Sequence, residues 1–232
     1  MNTLTTVKHP VKKFILEHLR NVEYARFRDL RPPRVETNAF TYHLNALVTE
    51  GLVQKAADGY SLGPRGLQYI HYQDKKSGQV GPGVAVMLLV QNSEGDVLLE
   101  RRTTQPFINS WGLPSSPVLA EDESLLSRVD QMGRNTLGVT GISYTHAGDC
   151  YIRVVSEGEA LSATLAHLYS FNTDEIEPTD SLVWARPHKL DQYTLSPATA
   201  EIMTRGFFRD PYFFEEFTCE WRMPAVDEPR HR

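Results

Sequence analysis

The chain has 232 residues, enough for two compact domains or one large one, and its 41% hydrophobic and 23% charged residues are typical of a globular protein. Its most apolar run, 84–90, is much shorter than the roughly 20 residues that cross a bilayer, and the first residues lack the apolar core of a signal peptide. We therefore predict a cytoplasmic protein without a membrane partner.

The formal net charge of −5 is distributed unevenly along the chain. Residues 1–78 contain 12 Lys and Arg against 7 Asp and Glu, whereas residues 79–232 contain 12 against 22. A polar, glycine-containing stretch, 73–83, lies where the apolar pattern changes, and we interpret it as an interdomain linker. The basic end of the chain favours polyanionic partners and the acidic end does not.

Residues 1–72 are predicted to form a helical domain that ends in a hairpin. An amphipathic pattern over 11–19 predicts a first helix, and a short pattern over 27–30, followed by Arg-Pro-Pro, predicts a second. After a third helical pattern, alternating residues at 52–55 and 60–62 predict two strands around a tight turn.

The third helical pattern has one apolar side and one polar side. Phe40, Leu44 and Leu47 have the spacing that lines one side of a helix, and Thr37 or Asn38 can cap its start. A helix whose outer side carries short polar side chains can enter the major groove of DNA. This pattern is therefore a candidate recognition helix.

Two segments of this half resemble ArsR- and MarR-type winged-helix regulators. Residues 40–53 are similar to the recognition helix and first wing strand of that family, and residues 59–66 to its second wing strand and the turn into the next helix. The resemblance implies a winged helix-turn-helix domain that binds double-stranded DNA, and a homodimer that reads paired half-sites. The same fold also serves as a protein-interaction module, and this alternative stays open.

Polar and basic residues in and around the third helix are candidates for contacting DNA. Those that lie off the apolar side are expected to read bases or position phosphates: Asn38, Thr41, Tyr42 and Asn45. The basic ones are expected to contact phosphate: Arg28, Arg34, Lys55 and Arg65, together with Arg26 and Arg31. His43 is expected to be a packed residue and not a ligand or a pH switch.

After the linker the periodicity changes to that of strands. One helical pattern, 123–137, interrupts a series of strands that is predicted at 84–90, 96–100, 150–155, 163–171 and 182–185. This order predicts a mixed α/β domain and excludes a parallel array of βαβ units.

Four segments of this half stand in the order found in Nudix proteins, and they are 98–102, 111–114, 123–124 and 137–139. The box of that family reads G-x5-E-x7-R-E-U-x-E-E-x-G-U, in which U is a bulky aliphatic residue. The resemblance implies an α/β/α sandwich with a mixed sheet over 84–205, and a cleft that binds nucleoside diphosphate derivatives. In the family, three Glu of the box hold divalent metal ions and help to activate the attacking water.

The box of this chain lacks those three carboxylates. When Glu123 is set as the first Glu of the box, Gly138 closes it, and the positions of the Arg and the three Glu are occupied by Gln131, Met132, Asn135 and Thr136. One extra residue also precedes Glu123, which is expected to be a structural residue at the helix start. We predict neither a metal site nor a cofactor here. Hydrolysis through relocated ligands for Mg²⁺ or Mn²⁺ stays open as an alternative.

A binding cleft can persist without the metal ligands. Arg101 and Arg102 follow a strand and can bind phosphate, although strand alternation predicts that only one of them points into the cleft. Trp111, Tyr151 and Arg153 are expected to add stacking and charge, with core packing as the alternative for Trp111. The predicted ligand is a nucleotide-type or phosphorylated small molecule.

Residues 206–232 form a tail that is rich in aromatic residues. So much apolar surface needs to be covered, either by the Nudix-like domain or by a second subunit. The second of these two interpretations again favours a homodimer.

These observations together favour a ligand-responsive transcriptional regulator, in which a Nudix-like sensor changes the DNA affinity of a winged helix. One alternative is a diphosphate hydrolase with relocated metal ligands, whose winged helix serves assembly. Another is a scaffold that binds neither DNA nor a metabolite.

Overall fold

The structure, a computed structural model, describes residues 7–56, 59–72, 82–207 and 212–221. We refer to residues 7–72 as the amino-terminal unit and to residues 82–221 as the carboxy-terminal unit. The predicted linker therefore lies outside the described residues, apart from its last two positions. No helix among the described residues has the length and apolar character that a membrane span requires.

The amino-terminal unit contains three helices and one hairpin. In chain order its elements are α1 (Pro10–Arg20), α2 (Thr37–Thr49), β1 (Val53–Ala56), β2 (Gly59–Leu62) and α3 (Pro64–Tyr72). Pro10 occupies the first turn of α1, where its missing N–H costs nothing, and the His9 ring accepts a hydrogen bond from the N–H of Val11. The two strands pair in antiparallel register from Val53↔Leu62 to Ala56↔Gly59.

The prediction of a short helix over 27–30 is wrong. This segment is a turn, in which the N–H groups of Asp29 and Leu30 both donate to the carbonyl of Arg26. The following prolines stop its extension, and a single helical turn is too short to offset the cost of nucleation. Just before the turn, Ala25 forms an antiparallel bridge with Tyr60, which adds a third short strand segment to the hairpin.

The predicted cap of the third helix is also wrong. Helix α2 begins at Thr37 with Glu36 at its N-cap position, and no side chain makes a capping hydrogen bond there. The Thr37 hydroxyl instead accepts a hydrogen bond of 2.8 Å from the guanidinium of Arg31. The predicted apolar side is confirmed, because Phe40, Leu44 and Leu47 are all buried.

The carboxy-terminal unit is built around one mixed sheet. Its strands are β3 (Gly83–Gln91), β4 (Val97–Arg101), β5 (Trp111–Gly112), β6 (Ser115–Pro117), β7 (Thr145–Ser156), β8 (Glu159–Asn172), β9 (Leu182–Ala185) and β10 (Phe213–Glu220). Hydrogen-bonded neighbours follow the order β10-β7-β8-β3-β4-β5, while β6 pairs with β3 and β9 with β4. The pairs β3–β8 and β7–β10 are parallel, and the other pairs are antiparallel.

Helices cover both faces of this sheet. Helix α4 (Leu125–Met132), extended by a π-helical turn (Gly133–Leu137), packs on one face, and α5 (Thr199–Phe207) packs on the other. A 3₁₀ turn (Pro187–Gln192) precedes α5. The predicted mixed α/β architecture is confirmed, and the helix predicted over 123–137 is present from Leu125, after a capping box formed by Ser124 and Ser127.

The aromatic tail contributes a strand to the sheet. Strand β10 runs parallel to β7 at the sheet edge, and its residues alternate between half-buried and exposed. Phe213, Phe217 and Trp221 pack against the core on the α5 side of the sheet, whereas Phe214 is exposed. Within the described part of the tail, 212–221, the chain itself therefore covers three of the aromatic side chains.

The two units share part of a core. Leu161, at the start of β8, is fully buried within the apolar cluster of the amino-terminal unit. Nearby, the side-chain amide of Gln68 donates a 2.6 Å hydrogen bond to the carbonyl of Ala160. Trp221 packs against the cores of both units. The end of the β7–β8 hairpin is thus inserted into the amino-terminal unit.

Candidate functional site

A cavity of about 370 Å³ lies where the two units meet. The amino-terminal unit contributes Arg20, the last residue of α1, and Ile70 of α3 to its wall. The remainder comes from strands β3 to β8, the segment after β4 and the region around the start of α5. Among the described residues that line it, the charged ones are Arg20, Glu100, Arg101 and Arg102. The described part of the cavity wall therefore contains three arginines and one acidic residue.

Both Arg101 and Arg102 line this cavity, and the prediction that only one of them binds phosphate stays a prediction. Strand β4 ends at Arg101, and beyond that point the alternation of side chains no longer applies. The Arg101 guanidinium donates to the Asn109 amide oxygen at 3.0 Å, and that of Arg102 donates to the Pro106 carbonyl at 3.3 Å. Both groups are held by the segment that follows the strand.

Glu100 is a cavity residue that the sequence reasoning missed. Burial raises the pKa of its carboxyl, while the N–H of Ser115, 3.4 Å away, and the positive charge of Arg102 act in the opposite direction. Burial also lowers the pKa of Arg102, against the effect of Glu100, although a guanidinium stays protonated in proteins. The position of Glu100 directly before the two arginines, at a strand end, was the available signal.

The segment 102–109 joins the cavity to the amino-terminal unit. The N–H of Gln105 donates to the carbonyl of Arg20 at 2.9 Å, and the Asn109 amide donates to the Glu23 carboxylate at 2.9 Å. Asn109 also accepts the hydrogen bond from Arg101. Arg101 and Arg102 are thus both connected, through this segment, to residues at or just after the end of α1.

Three of the predicted ligand residues lie elsewhere. Trp111 is half-buried and packs edge-to-face on Tyr193 at 5.8 Å, which agrees with the core-packing alternative. Tyr151 and Arg153 alternate along β7 with Ile152 and Val154, which line the cavity, so their side chains point to the opposite face of the sheet. The structure therefore does not bring these three residues to the cavity.

The box helix has no set of metal ligands. Gln131, Asn135 and Thr136 are exposed, and Met132 is 4% exposed and belongs to the core under α4. Over α4 and the π turn the sequence has a single acidic residue, Asp130. A divalent ion such as Mg²⁺ needs several hard oxygen ligands, and the residues present do not fit one.

Residues around the start of α4 form a polar cluster of another kind. Arg128 donates to the Ser116 hydroxyl through Nε at 3.1 Å and through Nη2 at 2.7 Å. Its Nη1 lies 3.8 Å from the Asp122 carboxylate. Glu123, the predicted first Glu of the box, is exposed and precedes the Ser124 cap. Gly138 ends the π turn with φ +72°, a conformation that favours glycine.

The outer side of α2 presents most of the residues predicted to contact DNA. Asn38, Tyr42 and Asn45 are exposed, with 71% of Tyr42 accessible. Thr41 is half-buried, and its hydroxyl donates to the carbonyl of Thr37 at 2.8 Å, which occupies its only donor. His43 stacks on His9 at 3.7 Å between ring centroids, and its packed position agrees with the prediction.

The basic candidates of this unit divide into two kinds. Arg28, Arg34 and Lys55 are exposed, and Arg34 adopts a left-handed backbone conformation, φ +65°, in the turn before α2. Arg65 is also exposed, but its guanidinium donates at 2.9 Å to the carbonyl of Glu50, which follows α2. Since cations stabilise helix carboxyl ends, Arg65 has a structural role there.

Comparisons with known proteins give similarities of fold alone. A scan against models of protein families and a search of curated proteins both find no match. Among solved structures, the chain is similar to the Nudix domain of Shewanella oneidensis NrtR complexed with ADP-ribose, with 18% identity over 61% of this chain and 96% of that chain and a TM-score of 0.46.

Two further solved structures are similar to the chain. The MutT protein of Bacillus halodurans has 18% identity over 59% of this chain and 89% of that chain, with a TM-score of 0.48. Shewanella oneidensis NrtR complexed with a 27mer DNA has 18% identity over 54% of this chain and 61% of that chain, with a TM-score of 0.46. With identities below 25% and TM-scores below 0.5, these similarities assign neither a family nor a function to this chain.

Proposed function

We propose that the protein is a DNA-binding regulator whose carboxy-terminal unit is a Nudix-like sensor of a nucleotide-type or phosphorylated metabolite. The observation that carries this proposal is the position of the cavity. A molecule bound there touches Arg20 of the amino-terminal unit and Arg101 and Arg102 of the carboxy-terminal unit at once. A ligand that contacts both units stabilises the arrangement in which it fits, and so shifts their equilibrium.

The charges of the cavity favour an anionic ligand. Three guanidinium groups against one carboxylate leave an excess of positive charge, and arginine pairs with phosphate through bidentate, charge-assisted hydrogen bonds. A volume of about 370 Å³ falls within the usual range for small-molecule sites, roughly 300 to 1000 Å³. A phosphorylated or diphosphate-containing small molecule matches both properties.

We assign the amino-terminal unit as a winged helix with α2 as its recognition helix. Its apolar side is buried, which leaves Asn38, Tyr42 and Asn45 exposed and able to reach base edges, while the exposed Arg34 and Lys55 can contact phosphates. Arg28 is also exposed, although its Nε lies 3.4 Å from the Asp29 carboxylate. Thr41 contributes less, because its one donor is used inside the protein, and one of the five donors of Arg65 is used in the same way. Paired half-sites would then be read by a homodimer.

The register of the box supports the loss of hydrolytic function. We infer that the π turn holds the one extra residue of the box, because a π turn contains one residue more than an α-helical turn, whereas the alignment from sequence placed it before Glu123. In this alignment Ser116 stands at the glycine position of the box and Asp122 at the position of its first Glu. Met132 stands at the bulky aliphatic position, which agrees with its burial. Gln131 takes the place of the first helical Glu, and no carboxylate is gained.

The proposal is tested on the full chain in two titrations. Genomic DNA fragments retained by the protein at low salt are identified and titrated, and their affinity should fall steeply as salt rises, because each neutralised phosphate releases counterions. ADP-ribose and ATP serve as ligand probes in calorimetry with and without saturating DNA. Coupling of about 1 to 3 kcal/mol would change either affinity roughly 5- to 150-fold, reciprocally.

Three results would contradict this function. If the protein retains no DNA even at low salt, the proposal of a DNA-binding regulator is contradicted. If the ligand affinity is equal with and without DNA, the proposed coupling between the two sites is contradicted. Release of phosphate or nucleotide products with Mg²⁺ or Mn²⁺, at a rate in the natural range of roughly 1 to 1000 per second, would replace the sensor by a hydrolase.

A further inference from the structure

Two imidazole rings and a carboxylate converge on the α4 side of the sheet. The Asp149 Oδ1 atom lies 2.9 Å from His146 Nε2 and 2.7 Å from His167 Nδ1. All three ligand atoms lie within 4.8 Å of one another, and no other group of three such side chains occurs among the described residues. We call these three residues the His-Asp-His cluster.

A β-bulge is the reason that these residues meet. His146 and Asp149 are three positions apart on β7, so in a regular strand they would point to opposite faces. The register with β8 shifts between His146 and Gly148, which inserts one residue and returns both side chains to the same face. Asp149 then stands directly opposite His167, while His146 stands opposite Tyr169.

The cluster is partly enclosed but reachable from solvent. The side chains of His146, Asp149 and His167 are 37%, 18% and 17% exposed. Tyr169 stacks under the His146 ring at 4.8 Å, and the Tyr212 hydroxyl donates to Asp149 Oδ2. Neighbours therefore hold the His146 ring and the carboxylate in place while one side stays open.

Neither the cavity nor the box accounts for the cluster. Asp149 alternates along β7 with Cys150 and Ile152, which belong to the core on the opposite face of the sheet. No residue of the cluster lines the cavity between the units. The cluster is thus a separate arrangement, and it depends on neither the DNA nor the ligand proposed above.

We propose that His146, Asp149 and His167 form a binding site for a divalent transition-metal ion of the Zn²⁺ type. Two imidazole nitrogens and one carboxylate oxygen are a donor set that suits Zn²⁺ and other divalent ions of the first transition row. Mg²⁺ and Ca²⁺ prefer oxygen donors alone. Three protein ligands leave the fourth position of a tetrahedral ion to water or to an external group.

The proton balance of binding follows from the hydrogen bonds. In the metal-free protein, Asp149 Oδ1 accepts from both rings, so His146 Nε2 and His167 Nδ1 carry hydrogen there. On binding, each of these nitrogens donates its lone pair to the ion. A neutral ring then carries its hydrogen on its other nitrogen, which it reaches by exchange with solvent. A ring that was protonated on both nitrogens releases one proton to solvent.

The role of Tyr212 is to position the carboxylate. Its hydroxyl holds Asp149 Oδ2, which leaves Oδ1 directed at the two rings. Groups that orient a metal ligand in this way typically change affinity by about 10- to 100-fold when they are removed. Tyr212→Phe removes only the hydroxyl and is therefore expected to weaken metal binding by that factor without abolishing it.

The test uses the full chain after treatment with a chelator. Zn²⁺ is titrated by calorimetry, bound metal is counted by elemental analysis, and Co²⁺ replaces it to give the visible absorption of a tetrahedral site. We expect one ion per chain in the wild type, and loss of this ion in His146→Gln, Asp149→Asn and His167→Gln. His188→Gln, in the exposed 3₁₀ turn, is the matched control and should keep it.

Circular dichroism establishes that each variant is folded. If the wild type binds no Zn²⁺ at stoichiometric concentrations, or if the three variants retain the ion, the site does not exist. If one of the variants fails to fold, the Co²⁺ spectrum of the wild type and the Zn²⁺ affinity of Tyr212→Phe still test the site. A metal site elsewhere in the protein would leave the Zn²⁺ affinity of Tyr212→Phe unchanged.

Discussion

Helices α2 and α4 are built on the same plan and differ in what their outer sides carry. Each buries one apolar side against its own unit, through Leu44 in α2 and Val129 and Met132 in α4. The outer side of α2 presents an exposed tyrosine and two asparagines, whereas the exposed box positions of α4 and its π turn carry the neutral side chains Gln131, Asn135 and Thr136. Burial of the apolar sides thus explains why both helices fold against their units. The side chains on the exposed sides determine what each helix can bind.

The largest expected effect separates the two sides of α2. Leu44→Ala removes a buried side chain and should lower the free energy of unfolding by about 2 to 5 kcal/mol. Tyr42→Ala, on the exposed side of the same helix, should change it by no more than about 0.5 kcal/mol but reduce discrimination between DNA sites. Urea denaturation and DNA titration of both variants measure this. Equal destabilisation would mean that α2 is not packed as described.

The next effect tests the register of α4. Met132→Glu places a carboxylate in the core and should destabilise the protein by about 3 kcal/mol or more at neutral pH, with a smaller penalty in acid where the carboxyl is protonated. Gln131→Glu adds the same group on the exposed side and should cost no more than about 0.5 kcal/mol. Thermal melts at pH 7 and pH 4 compare them. If Met132→Glu is tolerated, Met132 is not packed in the core as described, and the alignment that places it at a Glu position of the box is favoured.

A smaller effect distinguishes the cavity from the opposite face of the sheet. Arg102→Ala removes a charge-assisted donor and should weaken an anionic ligand by about 10- to 100-fold. Arg153→Ala, whose side chain points away from the cavity, should stay within about twofold of the wild type. Calorimetry with ADP-ribose makes the comparison. The reverse order of effects would place the ligand on the α4 side of the sheet.

The smallest effect concerns the one carboxylate of the cavity. Burial raises the pKa of Glu100 above its ordinary value of 4.5, so its contribution to stability is complete below that pH and is lost as pH rises through the raised pKa. Glu100→Gln should therefore match the wild type in acid and exceed it at pH 7. A gain near 1 kcal/mol corresponds to a rise in Tm of about 2 to 4 °C.

Melting curves of Glu100→Gln between pH 4 and pH 8 measure this difference. Glu94→Gln, in an exposed turn, is the control and should show no pH-dependent gain. An advantage of Glu100→Gln that is independent of pH would point to packing and not to the carboxylate charge.

Most of the fold was predictable because it follows from apolar periodicity. The spacing of Phe40, Leu44 and Leu47 predicted α2, and the runs over 84–90 and 182–185 predicted strands that are present within one residue at each end. The segment 27–30 was predicted wrongly because a single turn has the same local pattern as a short helix. The tail strand was missed because parallel pairing with β7 depends on residues more than 60 positions away.

The candidate sites were predicted less completely. Arg101 and Arg102 were found from the strand that precedes them, and Glu100 was overlooked although it directly precedes them, but Arg20 joins them only through the packing of the two units. His146 and Asp149 have a spacing that excludes a common face in a regular strand, and the bulge that overrides this rule leaves no mark in the sequence. Sites that depend on one inserted residue or on contacts between units cannot be predicted from local sequence patterns.

The buried position of Leu161 bears on how the proposed regulator would respond to a ligand. Swinging the two units apart would withdraw this leucine from the amino-terminal core into water, at a cost of about 1.5 to 3 kcal/mol. That cost equals the whole of a typical allosteric coupling, about 1 to 3 kcal/mol. A wide opening between the two units would therefore offset the free energy that the coupling supplies. For the proposed regulator we expect small shifts of the 102–109 segment against α1, with Leu161 still buried in the amino-terminal core.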